Sequence, residues 1–205
     1  MIIKCDSSGP VDSNTYLVGA SSGSEAVIID AGASIDCIVR LVETFGMIPK
    51  LIIITHSHFD HIYNLNEIRD RFGIPAAIHR LDATSVTNTR QNGAFLFGRS
   101  KSIHAVEKTL EDGQVLRVGG IDYKIIHTPG HSPGGICILA EGALFTGDTL
   151  FRGSIGRTDL YACDHNALIN SITEKLFTLD DDTSIYPGHD IPSTIGEEKR
   201  TNVFL

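Results

Sequence analysis

The 205-residue chain predicts an α/β protein of the αββα sandwich type, in which two mixed β-sheets pack face to face and helices cover their outer faces. Three features point there. Short aliphatic runs alternate with amphipathic helical stretches through the first half. A second β-rich half follows, with its own helical stretch. In both halves an aliphatic strand ends in Asp beside Gly, as "AVIIDAGAS" and "ALFTGDTL" show. Apolar residues make up 41% and charged residues 20%, an ordinary globular balance. The length suits one domain spanning residues 1–205.

In chain order, "TYLVGA" and "AVIID" read as paired strands joined by the turn Ser21-Ser22-Gly23-Ser24. Ser34 caps a helix whose apolar face carries Ile35, Ile38, Val39, Leu41, Val42 and Phe45, and Gly46 stops it. "KLIIIT" is a continuous aliphatic strand, the pattern of one covered on both faces. Ile62, Leu65, Ile68, Arg69 and Phe72 continue as a helix ending at Gly73, and "PAAIH" is a further short strand. Residues 88–100 are polar and Gly-containing with Phe95 and Phe97, which fits either a loop over an active site or a surface excursion. "QVLRVGGIDYKIIHT" and "GICILAEGALFTGD" are hairpins, "HNALINSITEKLFTL" is helical, and "TSIYPGHD" is the last strand.

Composition also excludes. A net charge of −8 without any dense Lys/Arg cluster argues against nucleic acid as a partner. The longest apolar runs are too short to span a bilayer, and Met1 to Lys4 lead into a polar segment rather than a signal sequence. A cytoplasmic location without membrane attachment is the expectation. Cys5, Cys37, Cys137 and Cys163 form no CxxC pair, and scattered cysteines are expected to be small buried hydrophobes.

The chemistry concentrates in "LIIITHSHFDHIYN" (51–64), where three histidines and an aspartate follow a buried strand. His56 and His58 alternate, so in an extended segment both imidazoles point one way, with Asp60 and His61 following at a helix start. His together with Asp suits zinc or iron, whereas calcium and magnesium prefer oxygen donors alone. So tight a turn cannot complete one tetrahedral site. Three later strand ends offer further donors: His131 in "HTPGHSPGG", Asp148 in "LFTGDTL" and His189 in "IYPGHD", each near a Gly that permits close approach of the backbone. Asp30 suits either a partner that orients a ligand histidine or a local turn. His79, His104, His127 and His165 lack a motif and read as structural or surface residues.

These motifs resemble the metallo-β-lactamase superfamily over nearly the whole chain. "NTYLV", "HTPGHSPG", "LFTGDTLFRGSIGRTDL" and "DDTSIYPGHD" are similar to the glyoxalase II-like (hydroxyacylglutathione hydrolase-like) branch, and the ending resembles its short members without a C-terminal helical domain. The resemblance implies two divalent ions. Zinc is expected, with iron or manganese as alternatives. His56, His58 and His131 would hold one ion, Asp60, His61 and His189 the other, and Asp148 would bridge them. A hydroxide between the ions would attack an acyl thioester or ester such as S-lactoylglutathione, with Asp60 also orienting it as a catalytic residue. Arg157 stands where glyoxalase II has a basic residue that contacts glutathione, although a surface arginine is the competing reading.

Two departures bear on the substrate. Asp159 and Ile191 occupy positions where glyoxalase II has tyrosines. A mononuclear iron persulfide dioxygenase is the alternative enzyme, using the equivalents of His56, His131 and Asp148. Its ending reads "PAHDY", and "PGHDI" here is closer to the hydrolase. A non-catalytic metal-binding domain is a third reading, against which the complete ligand set speaks.

Overall fold

The computed structural model describes residues 1–98 and 101–205. The first sheet has the order β1-β2-β3-β4-β5-β6, formed by Ile2–Asp6, Thr15–Gly19, Glu25–Ile29, Ile48–Ile54, Ala76–His79 and Lys108–Leu110. In the second, β14 (Ser193–Thr194), β13 (Ser184–Pro187), β10 (Ala143–Gly147), β9 (Ile136–Ala140), β8 (Ile121–His127) and β7 (Val115–Val118) lie side by side. A two-stranded ribbon, β11 (Leu150–Phe151) with β12 (Ser154–Ile155), stands apart. Both large sheets are mixed: β3 to β6 run parallel while β1, β2 and β3 alternate, and β10 with β13 is the parallel pair of the second sheet.

Side-chain alternation along the aliphatic strands builds the layers. Leu51 and Ile53 of β4 face the second sheet and pack with Val27, Ile29, Tyr123, Ile125, Ile138 and Phe145. Ile52 and Ile54 face outward, against α1 (Ile35–Phe45) and α3 (Leu65–Phe72). On the far side Leu168 of α4 (His165–Asn170), Ile172, Leu176 and Ile195 of α5 (Ile195–Thr201) cover Cys137, Leu144 and Ile185. The αββα architecture of the sequence analysis is the one observed.

Local punctuation also follows the sequence. Ser34 accepts from Cys37 N at the start of α1, and Gly46, at φ 60°, ends it. Both predicted hairpins form, as β7-β8 and β9-β10. Four expectations need correction. The helix read through Ile62 and Phe72 is two helices, α2 (Phe59–Ile62) and α3, because Asn64 leaves helical geometry to donate its side-chain amide to Gly32 O and Ala33 O at 2.8 and 2.9 Å. The helix after Asp164 widens into a π-turn at Ser171–Lys175 and tightens at Leu176–Thr178. "TSIYPGHD" is followed by β14 and α5, so it is not the last strand. Of the cysteines, only Cys137 is buried, while Cys5 is exposed and Cys37 and Cys163 are half-buried. The 88–98 part of the predicted loop holds a short turn at Ala94–Phe97, and the last two residues of that stretch fall outside the described residues.

No helix among the described residues is long and apolar enough to cross a membrane.

Candidate metal centre

Parallel pairing sends chemically similar strand ends to one edge of the sandwich. Ile29 pairs with Ile53, so Asp30 and the Thr55–His58 turn leave the first sheet together. Gly147 pairs with Pro187, so Asp148 and His189 leave the second sheet together. Ligand sites in sheets of this kind form beyond the carboxyl ends of the strands. The seven residues singled out as ligands meet there.

Their donor atoms fall into three overlapping groups, each within 4.8 Å: His56, His58 and His131; His56, His61 and Asp148; Asp60, His61 and His189. His58 Nδ1 lies 2.7 Å from His131 Nε2, and His61 Nε2 lies 3.3 Å from His189 Nε2. Asp148 stands between the groups, 3.4 Å from His131 Nε2 and 3.6 Å from His189 Nε2 through Oδ2, and 3.2 Å from His61 Nε2 through Oδ1. Asp60 Oδ2 sits 3.1 Å from His189 Nε2.

Outer hydrogen bonds assign the tautomers. His61 Nδ1 donates to Asp30 Oδ2 at 2.9 Å, so that in the neutral ring Nε2 carries the lone pair. His131 Nδ1 donates to the main-chain carbonyl of Arg157 at 2.8 Å, with the same consequence. Thr55 Oγ1 donates to Asp30 and lies 3.1 Å from His56 Nδ1, placed to accept its proton and turn Nε2 inward. Asp30 is therefore the orienting partner of two histidines, not merely a turn residue. It adopts a left-handed φ of 60° while fully packed, a conformation that Asp tolerates and that its bonds to Thr55 N and Oγ1 and to His61 hold in place.

The residues fit a bound cation. His56 Nε2 and Asp148 Oδ1 are buried without a hydrogen-bond partner, although Oδ1 is close to His61 without alignment. Each such atom costs about 1–3 kcal/mol, a cost that a cation between them removes. With protons alone, the charge settles unevenly. Burial acts against His61, yet the carboxylates of Asp148, Asp60 and Asp30 around it hold its proton well above the usual imidazole range. Burial likewise opposes the Asp148 carboxylate, but the His61 cation keeps it well below the usual carboxylate range. His56 is pushed well below its ordinary value by burial and then by His61, and His58 is pushed down to about 3 by burial and then by His131. A proton on His61 thus occupies the place of positive charge among three carboxylates.

Two supports escaped the sequence reading. Asp82, fully buried after β5, accepts from Ser57 N at 2.9 Å, Ser132 Oγ at 2.8 Å and Gly134 N at 2.6 Å. It ties the His56–His58 turn to the His131 loop. The available signal was another Asp just beyond a strand end, in "IHRLDAT". Asn14 and Tyr16, within the quoted "NTYLV", donate to Pro187 O at 3.0 and 2.6 Å and so hold the His189 turn. Gly188 is needed in that turn, since a Cβ there would collide with the Asp148 carboxylate and come within 2.8 Å of the His61 ring. His79 and His127, read as structural, stack at 4.0 Å between ring centres and belong to none of the three donor groups.

Arg157 lines the pocket with His58, Asp60, His131 and Asp148. Its guanidinium is held by Asp159 through bonds of 2.7 and 2.8 Å. The contact that reaches the ligands is its main-chain carbonyl.

The model of the family described as "Metallo-beta-lactamase superfamily" matches residues 8–189. The chain belongs to this superfamily. Among its relatives, the probable metallo-hydrolase YqgX of Bacillus subtilis is 33% identical, the match covering 96% of this chain and 94% of that protein. The hydroxyacylglutathione hydrolase GloC of Haemophilus influenzae is also 33% identical, over 88% of this chain and 87% of that one. The BLEG-1 B3 metallo-beta-lactamase structure superposes with a TM-score of 0.94 at 35% identity, covering 100% of this chain and 99% of that chain. TTHA1623 in a di-iron-bound form gives 0.86 at 35% identity, covering 98% and 100%. ETHE1 from Myxococcus xanthus gives 0.79 at 29% identity, covering 99% and 84%. Membership, together with the donor cluster, makes this a metallo-hydrolase-superfamily protein with a metal-binding centre.

Proposed function

We propose that the chain is a binuclear metal-dependent hydrolase of small acyl thioesters or esters. The observation that carries this is the pair of donor triads, His56-His58-His131 and Asp60-His61-His189, with Asp148 facing both. When bound there, two divalent ions supply an acidic water near neutral pH and a positive field for the oxyanion formed at the carbonyl. Asp60, which lines the pocket, orients the attacking water and accepts its proton at a carboxylate oxygen. Asp30, Thr55 and the Arg157 carbonyl keep the ring protons on the outer nitrogens, so that the inner ones remain donors to metal. Cleavage adds water across the acyl bond and releases a carboxylic acid and a thiol or alcohol.

The glyoxalase II type of activity is supported by the likeness to GloC, and zinc by the His/Asp donor set. The test is metal analysis of the purified protein followed by a panel of thioesters, esters and a β-lactam, S-lactoylglutathione included. Turnover that disappears on chelation and returns with zinc, iron or manganese is the expected result. No hydrolysis by metal-replete protein sinks the reading.

A second reading is the iron-dependent persulfide dioxygenase suggested by the sequence motifs, using His56, His131 and Asp148, and the di-iron-bound form of the similar TTHA1623 supports iron at such a centre. Oxygen uptake with a glutathione persulfide on iron-loaded protein would favour it.

A further inference from the structure

Beside the metal-lining pocket lies a second cleft of about 330 Å³, and His58 belongs to both. One wall is the 88–98 segment and the other is the Leu160–Tyr161 turn that follows Arg157. Phe95 and Leu96 are 63% and 67% exposed, and Tyr161 is 55% exposed. At the junction with the metal pocket, Phe97 is half exposed and packs on Phe59 with ring centres 4.9 Å apart. Surface of this kind, continuous with a reactive centre, is built to be covered by a ligand rather than to stand in water.

The walls are held in position. Phe59 N donates to Asn92 O at 2.9 Å, and Gln91 Nε2 donates to Tyr161 Oη at 3.2 Å across the cleft. One described arginine lines each space, Arg157 the metal pocket and Arg90 the cleft. Arg157 is paired in two-point fashion with Asp159, and the Arg90 guanidinium lies 5.6 Å above the Phe95 ring. An anionic arm at Arg157 would have to displace Asp159, and in the cleft it would find a single arginine laid over the Phe95 ring, whereas an apolar arm meets uncovered aromatic and aliphatic carbon.

We propose that this cleft binds the hydrocarbon arm of the substrate, so that the cognate class is a neutral thioester or ester with an alkyl or aryl substituent rather than a thioester of an anionic peptide. The proposal rests on the hydrolase reading. Burial of a methylene is worth about 0.8 kcal/mol, which corresponds to about fourfold in kcat/KM for each one seated.

The experiment uses metal-replete full chain and N-acetylcysteamine thioesters with acyl chains of increasing length from acetyl to octanoyl, with S-lactoylglutathione as comparator and free thiol as readout. The expected result is kcat/KM rising about threefold to fourfold per methylene until the cleft is filled. The slope should flatten in Leu96→Asp and in Tyr161→Asp, and persist in Val115→Asp, whose exposed side chain lies on β7. A flat series in the unaltered protein, or a tenfold preference for S-lactoylglutathione over the octanoyl thioester, overturns the apolar arm while leaving the hydrolase reading intact. A slope unchanged in both Asp variants overturns it as well. Absence of turnover on every thioester ends both.

Discussion

At the scale of single residues, the centre depends on side chains whose partners are as specific as the donors themselves. Asp60→Ala removes both a donor and the carboxylate that orients water. The expected loss in kcat is about 10²- to 10⁴-fold, and full activity would overturn the mechanism. Asp82 touches no donor atom yet anchors both donor loops through three bonds. Asp82→Asn keeps the shape but sets an amide donor against at least one N–H, so metal affinity should fall about 10- to 100-fold in chelator competition. Unchanged affinity would make Asp82 a packing residue only. Arg157→Ala should leave neutral thioesters almost unaffected, since the main-chain carbonyl that orients His131 remains. Any loss should be confined to KM for anionic substrates.

At the scale of elements, the strands do most of the positioning. The aliphatic run 51–54 was legible as a strand covered on both faces, and it is: Leu51 and Ile53 enter the sandwich core while Ile52 and Ile54 enter the outer one. Ile53→Ala should therefore cost about 2–5 kcal/mol in urea denaturation, and Ser34→Ala, which removes the α1 cap, about 1 kcal/mol. Periodicity failed where tertiary bonds compete with the helix. Nothing between Ile62 and Phe72 breaks the helical pattern, but Asn64 gains two carbonyl partners at Gly32 and Ala33 by leaving it. Similarly, Ser171 Oγ bonds to Pro129 O and Lys175 Nζ to His127 O at the widened turn of the helix after Asp164. Those partners lie far away in sequence, so no local pattern announces them.

For the whole molecule, the clustered imidazoles link folding to pH. In metal-free protein His56 and His58 are held neutral below their ordinary range, His58 down to about 3. Between pH 7 and 5 the unfolded chain takes up protons at these two positions and the folded chain does not, so stability falls as pH falls. His61 and His189 have raised values, so their contribution grows only until pH reaches the unfolded value of about 6.5 and is constant below it, offsetting just part of this loss near pH 7. Asp60 and Asp148, held low, lose their contribution only below the ordinary carboxylate range. The denaturation midpoint of chelated protein should be lower at pH 5 than at pH 7, and an equal or higher midpoint would contradict this account. Bound metal should raise the midpoint, more strongly at pH 7, because protons compete with it for the same nitrogens.

What the sequence determined by itself is the layered fold and the seven donor residues, because alternation, caps and strand-end His/Asp motifs are local signals. Only the tertiary structure decided how the donors are oriented and what surrounds them. Asp30 reaches His61 across 31 positions, Asp82 reaches Gly134 across 52, and Gln91 reaches Tyr161 across 70. Such contacts depend on how two sheets converge at one edge. The same convergence decided that Arg157 faces Asp159 while aromatic and aliphatic carbon lines the neighbouring cleft, the feature on which the choice of substrate rests.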